Sequence, residues 1–201
     1  MRTIIVFSDL HSLFNPTFDY WKEFLSHLIT TYPDAFILCL GDMDTLEDEV
    51  YQTYKNRILF LRGNNDFNQI LEETKLDYTS YGVEILEKTG TGLLADSCTF
   101  RIEGLSFHAI HGHQVLNQRW KHPATRQEWI TYRKALITER KNRGCDYLLY
   151  GHSHKYQFDS FHHLINPGCC NEILSDGPAG YIEIQIEKGR IKRIHHLVEK
   201  K

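Results

Sequence analysis

The sequence predicts an α/β fold whose first half forms a parallel sheet, and three apolar segments lead to this prediction. Residues 3–8, 36–40 and 58–62 are short continuous apolar runs, which are typical of strands buried on both faces. The residues between the first two runs show helical periodicity instead. Strands that alternate with helices favour parallel pairing through right-handed crossovers.

The elements of the first half follow in order from their local patterns. TIIVFS, residues 3–8, is the first strand. The helix predicted over 17–31 places six apolar side chains at helical spacing and ends before a proline: Phe18, Trp21, Phe24, Leu25, Leu28 and Ile29, then Pro33. FILCL (36–40) and ILFLR (58–62) are the second and third strands, and the charged stretch 46–57 is interpreted as a surface helix.

The second half of the chain changes to a hairpin pattern. Residues 98–111 alternate around Gly104, which predicts an antiparallel pair of strands. The segment 123–143 carries apolar residues amid charges and is interpreted as a helix, and DYLLY (146–150) as a further strand. The segment 180–198 predicts a second hairpin, with a Lys-Gly turn.

Composition narrows the class of protein. A chain of 201 residues with 41% hydrophobic residues fits one globular domain over 1–201. With 23 Lys+Arg against 26 Asp+Glu, no extended nucleic-acid surface is expected. The N-terminal apolar run is too short for a signal peptide or a membrane span. The five cysteines lack the pairing of a zinc ribbon, so we expect a reduced, cytoplasmic setting.

Hard metal-binding side chains cluster in five short segments at the ends of predicted strands. These are Asp9-Leu10-His11, Gly41-Asp42-Met43-Asp44, Gly63-Asn64-Asn65-Asp66, His111-Gly112-His113 and Gly151-His152-Ser153-His154. In open α/β sheets the carboxyl ends of the strands form the ligand-binding edge. A set of imidazole, carboxylate and amide donors suits two divalent cations better than one structural zinc. Two metals about 3.5–4 Å apart are the usual clamp for attack of water on a phosphate ester.

Each segment alone has an ordinary explanation as a polar turn. Asp9 and His11 stand two residues apart, so on an extended chain their side chains point the same way. Glycine precedes the ligands of three segments, where we expect it to permit a sharp turn out of the strand: Gly41, Gly63 and Gly151. The joint occurrence of all five segments in this order favours the metal interpretation.

With these segments the chain resembles the calcineurin-like metallophosphoesterase superfamily, from Asp9 to the Asn-Pro-Gly at 166–168. It is most similar to the small bacterial and archaeal phosphodiesterase branch, and also to the retromer scaffold subunit of the same fold. The resemblance implies a four-layer αββα sandwich, with two mixed β-sheets flanked by helices. It also implies two metal sites that share Asp42, with a bridging hydroxide as the nucleophile: Asp9, His11, Asp42 and His154 in one, Asp42, Asn64, His111 and His152 in the other.

The third segment departs from the family pattern. Many members have a histidine where this chain has Asn65, and that histidine acts as a general acid or stabilises the transition state. An amide cannot protonate a leaving group, and His113 is the nearest candidate for that role by sequence. Asp66 and Asp44 are candidates for orienting the ligand histidines from outside the metal sites.

Two further positions have competing interpretations. Arg62 stands at a strand end and is either a contact to a substrate phosphate, together with Asn64, or simply a salt-bridge partner. Cys169 and Cys170 follow the Asn-Pro-Gly segment where the family usually has serine. A reactive thiol near metals is one interpretation, and a buried inert thiol is the favoured one. His108 is expected to be a packed or solvated residue of its hairpin strand.

The function expected from these residues is hydrolysis of a phosphate ester, with a phosphodiester favoured by the branch resemblance. The cofactors would be two divalent ions, with Mn²⁺ suited to the mixed donors and Fe, Zn, Ni or Mg open. The partner would be a small phosphate-ester substrate, with nucleotide-like chemistry as one option, and assembly as a homo-oligomer is left open. The alternatives are a phosphomonoesterase, and a catalytically silent scaffold of the same fold that binds a protein partner.

Overall fold

The computed structural model describes residues 1–12, 20–44, 53–66, 76–90, 94–116 and 123–198. The strands are β1 (Arg2–Phe7), β2 (Phe36–Cys39), β3 (Ile58–Phe60), β4 (Val83–Thr89), β5 (Ser97–Ile102), β6 (Leu105–Ile110), β7 (Tyr147–Tyr150), β8 (Tyr156–Asp159), β9 (Leu164–Pro167), β10 (Gly180–Glu187) and β11 (Arg190–Val198). The α-helices with described bounds are α1 (Tyr20–Thr31) and α2 (Arg126–Asn142), and two 3-10 turns span Tyr78–Tyr81 and His113–Leu116.

The first sheet has the strand order β11-β10-β1-β2-β3. β1, β2 and β3 are parallel, as predicted from their apolar runs. The terminal hairpin β10–β11 is also confirmed, but β10 pairs antiparallel with β1, so the two ends of the chain share a sheet. The sheet is therefore mixed, which local periodicity did not indicate.

The second sheet has the order β4-β5-β6-β7-β9-β8. The hairpin around Gly104 is confirmed as β5 and β6, and β6, β7 and β9 run parallel. Three of its strands, β4, β8 and β9, were not predicted. β4 and β8 are edge strands with few buried residues, and β9 is four residues long and ends in a proline, so none shows a long apolar run.

Three apolar clusters define the layers of the fold. α1 packs on the outer face of the first sheet through Trp21, Phe24, Leu25 and Leu28. The two sheets face each other across residues such as Val6, Leu38, Phe107 and Leu149. α2 packs on the outer face of the second sheet through Tyr132 and Leu136. This is the expected αββα sandwich.

The helices predicted over 17–31 and 123–143 are confirmed over the described residues, apart from the two ends of the second. α2 begins at Arg126 rather than at 123 because Thr125 and Glu128 form a capping box, in which each side chain accepts a backbone N–H of the other residue. Residues 17–19 of the first predicted helix lie outside the described residues. Of the predicted surface helix 46–57, only 53–57 are described, and residues 53 and 54 are helical. No helix among the described residues is long and apolar enough to cross a membrane.

His108 on β6 is completely buried, so it is a packed residue of its strand and not a solvated one. Its Nδ1 lies 2.8 Å from Thr99 Oγ1, and its Nε2 lies 3.4 Å from Glu139 Oε1 on α2. Burial lowers the pKa of His108 to about 4, with a further contribution from Arg143. The folded protein therefore holds this imidazole neutral at pH values where an exposed histidine is protonated.

We expect His108 to make the protein less stable as pH falls. Its pKa is lower in the folded state than in the unfolded state, so the unfolded state binds more protons between about pH 6.5 and pH 4. From pH 7 to pH 4.5, the free energy of unfolding of the parent should fall about 2 kcal/mol more than that of His108→Gln. Urea unfolding across this range measures the difference, and parallel curves would contradict the assignment.

Candidate metal centre

The ends of strands from both sheets converge at one edge of the sandwich and bring the predicted ligands together. Asp9, His11 and His154 form one group, here called the first ligand group. Asp42, His111 and His152 form the second ligand group. Within each group the candidate ligand atoms all lie within 4.8 Å of one another. The amide of Asn64 joins the second ligand group, with its Oδ1 3.0 Å from His111 Nε2.

The ligand loops are sharply turned rather than extended. Five of the ligands have left-handed backbone conformations: Asp9 (φ 56°), His11 (φ 48°), Asp42 (φ 56°), His152 (φ 66°) and His154 (φ 54°). The expectation that Asp9 and His11 share a face of an extended chain was therefore wrong. Backbone bonds between loops hold these conformations, since Asp9 N donates to Gly41 O at 3.0 Å and His11 N donates to Asp42 O at 3.0 Å. Such conformations are costly and are characteristic of functional sites.

Two of the three motif glycines serve close packing rather than turning. Gly41 has φ 109° and does provide the expected turn. A β-carbon on Gly63, however, would lie 2.0 Å from Asp42 Oδ1, and one on Gly151 would lie 1.9 Å from Ser8 Oγ. The chain bends directly after each of them, but neither glycine has a left-handed backbone, so the bend does not depend on the conformational freedom of glycine. They allow the ligand loops to approach one another closely.

In three of the ligand histidines, the ring nitrogen that points away from the cluster, here called the outward nitrogen, is held by a hydrogen-bond acceptor. His111 Nδ1 donates to the carbonyl oxygen of Leu40 at 2.9 Å, and His154 Nδ1 donates to that of Leu174 at 3.0 Å. His11 Nδ1 lies 2.9 Å from Asp44 Oδ1. Because these oxygens accept, the neutral rings carry their proton on Nδ1 and direct the Nε2 lone pair inward. Asp44 thus has the orienting position expected from sequence.

The interior of the cluster is consequently made of electron-pair donors that face one another. His11 Nε2 lies 3.1 Å from His154 Nε2, and His154 Nε2 lies 3.3 Å from Asp9 Oδ1. That carboxylate oxygen is buried and makes no hydrogen bond within the described part of the chain. Lone pairs and carboxylates held at such distances repel unless a proton or a metal cation lies between them. The donor set therefore fits divalent metal ions.

The electrostatic field at the cluster is strongly negative. Burial by itself lowers the pKa of His111, yet the carboxylates of Asp42 and Asp9 outweigh it and raise that pKa to about 9. Burial likewise raises the pKa of Asp42, but His111 and the backbone N–H of Asn65 outweigh it and leave that pKa well below the ordinary value. A field that favours a proton on a fully buried imidazole also favours a bound cation.

Asp42 lies between the two ligand groups. Its Oδ2 is 3.4 Å from His111 Nε2 and 3.7 Å from His11 Nε2. Asn65 holds this carboxylate from the other side, since its backbone N donates to Asp42 Oδ1 at 2.9 Å and its Nδ2 donates to Oδ2 at 2.7 Å. Asn65 therefore supports the central carboxylate, a contact that the sequence had not indicated.

Asp66 binds backbone rather than a histidine. Its carboxylate accepts from the backbone N–H groups of Asp42 at 3.0 Å, Met43 at 2.8 Å, Asp44 at 3.0 Å and Gly63 at 2.7 Å. Burial and the neighbouring Asp42 raise the pKa of Asp66 to about 6. The expected orientation of a ligand histidine by Asp66 is not seen, because four N–H donors of the turn lie closer to its oxygens. Asp66 instead joins the second and third ligand segments.

The remaining predicted site residues lie in different surroundings. The ring of His113 is next to the second ligand group, with its centroid 5.4 Å from that of His111 and 6.1 Å from that of His152. Arg62 Nε lies 3.7 Å from Asp96 Oδ1, which agrees with the salt-bridge interpretation of this residue. This ion pair is partly exposed and contributes little stability by itself.

Two buried asparagines were missed by the sequence interpretation. Asn166 Nδ2 donates to Gly151 O at 3.0 Å and to Ser153 Oγ at 2.9 Å, which secures the loop of His152 and His154. Asn171 Nδ2 donates to His11 O at 3.3 Å. The position of Asn166 in the Asn-Pro-Gly segment, which belongs to the family pattern, was a signal that could have indicated its role. Asn171 lies 160 residues from its partner in the chain, and nothing local indicates the contact.

The paired cysteines are buried, inert thiols, which confirms the favoured interpretation. Cys169 Sγ donates to Asp9 O at 2.9 Å, and Cys170 Sγ donates to Gly180 O at 3.2 Å. Burial raises the pKa of Cys169 far above its ordinary value and that of Cys170 to about 12. A thiol is nucleophilic only as a thiolate, so neither cysteine is activated here.

Sequence comparison provides evidence independent of this geometry. The profile of the calcineurin-like phosphoesterase superfamily domain matches residues 1–189. A probable metallophosphoesterase of Mycoplasma pneumoniae is 34% identical over 97 residues, which cover 46% of this chain and 54% of the relative. The matched region is thus about half the length of that curated relative.

Solved structures share the fold at low sequence identity. A predicted phosphoesterase of Streptococcus pneumoniae is 17% identical with a TM-score of 0.58, over 92% of this chain and 83% of that one. Vps29 of Entamoeba histolytica, in a complex with zinc, is 18% identical with a TM-score of 0.55, over 94% of this chain and 88% of that one. At these identities the likeness establishes the fold alone.

Proposed function

Because the chain belongs to the calcineurin-like phosphoesterase superfamily, we propose that it is a metal-dependent phosphodiesterase with a dinuclear centre. The observation that carries this proposal is the set of inward-facing lone pairs. His11 Nε2 and His154 Nε2 face each other at 3.1 Å, and the outward nitrogen of each ring is already held. Such an arrangement of buried donors is satisfied when it holds cations.

Seven side chains would hold the two ions in this proposal. The first ligand group and Asp42 would take one ion, and the second ligand group with Asn64 the other. Asp42 would serve both, which agrees with its oxygen lying 3.4 Å from His111 Nε2 and 3.7 Å from His11 Nε2. A shared carboxylate offsets the repulsion between two dications.

The chemistry divides between the ions and the chain. Bound divalent ions polarise a phosphoryl oxygen and lower the pKa of water, which supplies a nucleophile at neutral pH. Asn65 and Asp66 keep the central loops in place, Asn65 through the Asp42 carboxylate and Asp66 through the backbone N–H groups. His113, beside the second ligand group, is the proposed proton donor to the leaving oxygen, and Asn64 the proposed amide contact to the phosphate.

The native ions and the substrate are part of the proposal. Nitrogen and oxygen donors of this kind suit Mn²⁺, and also Fe, Zn, Ni or Mg, with availability deciding among them. We prefer a small phosphodiester, nucleotide-like in chemistry, to a monoester, because the chain resembles the small phosphodiesterase branch, which also often lacks the imidazole that Asn65 replaces. Arg62 is the weaker candidate for contact with the phosphate, since Asp96 already pairs with it.

A scaffold without activity is the second candidate function, and the fold likeness to Vps29 supports it. In a silent scaffold there is no requirement to keep the metal ligands. This chain has all seven candidate donors, and the described loops bring them together. The donor set therefore favours an enzyme over a scaffold.

Metal binding and turnover, measured on one preparation, test the proposal. Apo protein should bind two equivalents of Mn²⁺ in a calorimetric titration and should then hydrolyse bis-p-nitrophenyl phosphate. A panel of mono- and diesters should show the diester preference. Binding of fewer than two equivalents without turnover on any ester would support the scaffold. Turnover on monoesters alone would correct the substrate class.

A further inference from the structure

α2 places a buried tyrosine hydroxyl against the loops that carry His111 and His152. Tyr132 is 2% exposed and packs with Leu136 and Tyr150 on the second sheet. A β-carbon on Gly112 would lie 2.4 Å from the Tyr132 hydroxyl oxygen and 3.4 Å from Gly151 O. The Tyr132 ring centroid is 6.4 Å from that of His152. The hydroxyl thus occupies the space between the two loops of the second ligand group.

This hydroxyl is buried and makes no hydrogen bond to any of the residues that the structure describes. Its neighbour Tyr150 differs, because that hydroxyl donates to Gln157 Oε1 at 2.6 Å. Burial, together with Tyr150 and the charge of Asp9, holds the pKa of Tyr132 well above its ordinary value, so the group stays neutral. A neutral phenol offers one donor and two acceptor lone pairs. A buried polar group that lacks a partner requires an explanation.

The other ligand histidines show what kind of partner a ring needs at this centre. His111, His154 and His11 each have their outward nitrogen at an oxygen of the protein, at 2.9 Å, 3.0 Å and 2.9 Å. Such contacts fix the orientation of a metal-ligating ring and increase its basicity. Tyr132 is the residue of α2 whose ring faces His152.

We infer that Tyr132 is a positioning residue for the second ligand group, through a hydrogen bond between its hydroxyl and the outward ring nitrogen of His152. This bond would hold the His152 ring in the orientation in which its inward nitrogen could bind a cation. The inference rests on the proposed function, since it needs a metal ion at this group. Gly112 is then required because any side chain there would displace the hydroxyl.

Two tyrosine-to-phenylalanine variants provide a matched test. Tyr132→Phe removes the hydroxyl that has no partner among the described residues. Tyr150→Phe removes a hydroxyl that donates to Gln157, from a ring whose centroid lies 6.1 Å from that of Tyr132. Each apo protein is titrated with Mn²⁺ by calorimetry and melted without metal. For Tyr132→Phe we expect the equivalent that the second ligand group takes, here called the second equivalent, to bind about 10–100-fold more weakly, with no fall in the melting temperature of the apo protein. For Tyr150→Phe we expect a lower melting temperature and unchanged binding of both equivalents.

The possible outcomes separate this inference from the proposed function. If the parent binds two equivalents and Tyr132→Phe binds both with parental affinity, the positioning role is wrong and the metal centre stands. If both variants weaken the second equivalent alike, the effect is one of packing and the role is again wrong. If the parent binds no Mn²⁺, the proposed function fails and this inference fails with it.

Discussion

Replacing Asp42 with Asn is expected to lower kcat/KM for a phosphate diester by at least about 10³-fold, which corresponds to about 4 kcal/mol. The carboxylate lies within 3.4 Å of His111 Nε2 and 3.7 Å of His11 Nε2, so its charge acts on both ligand groups. Asp9→Asn should cost less, because Asp9 Oδ1 lies 3.3 Å from His154 Nε2 of the first group but 3.9 Å from His111 Nε2 of the second, farther than Asp42 Oδ2 does. Kinetics and metal content are measured on the same samples.

A third Asp→Asn variant controls for the general effect of removing a carboxylate. Asp77 caps the 3-10 turn Tyr78–Tyr81, and Ser80 of that turn accepts a hydrogen bond from Arg2 at the start of β1. The ligand loop lies at the other end of this strand. Asp77→Asn should retain both metal equivalents and full activity. Equal losses for Asp42→Asn and Asp9→Asn, with equal retention of both ions, would contradict the shared position of Asp42.

Replacing His113 with Gln is expected to slow hydrolysis in proportion to the basicity of the leaving group. If His113 protonates the leaving oxygen, an alkyl diester should lose about 10²–10⁴-fold, whereas a p-nitrophenyl diester should change little. Nitrophenolate leaves without help, since its conjugate acid is already strong. The measurement is a series of diesters with leaving groups of graded pKa, for parent and variant.

Asn65→His tests the position from which a histidine supplies the proton in many members of the family. The family's histidine position is here an amide that holds Asp42 through two hydrogen bonds. An imidazole at Asn65 should flatten the leaving-group dependence, although the gain is limited by the loss of support for Asp42. If His113→Gln lowers the hydrolysis rates of all the esters by the same factor, His113 contributes to binding or packing and is not the general acid.

Local pattern was sufficient to predict most of the strands and the ligand segments. Asp9, Asp42 and His152 each follow an apolar run, and such runs form buried strands whatever their partners are. Since the carboxyl ends of parallel strands meet at one edge, the order of motifs along the chain already predicted convergence. The residue types in the same segments predicted the metal ligands, because imidazole, carboxylate and amide groups are donors that divalent ions bind.

The tertiary structure alone decided how those residues are held. Asn65 meets Asp42 across 23 positions of sequence, and Asn171 meets His11 across 160. The periodicity of the sequence does not indicate contacts between such distant residues. The hydrogen bonds of Asn65 to Asp42 and of Asn171 to the His11 loop were therefore not predictable. The same limit applied to β10, which inserts beside β1 from the far end of the chain.

By itself, then, the sequence determined the αββα class through its family resemblance, and also which side chains gather at the sheet edge. Their chemistry as a set of cation ligands depends on geometry that only the folded chain has. The left-handed loops turn His11 and His154 to face each other at 3.1 Å, and the absence of a side chain at Gly112 and Gly151 lets Tyr132 and Ser8 pack against the loops. These distances arise from steric contact between remote segments, and local sequence preference does not encode such contact.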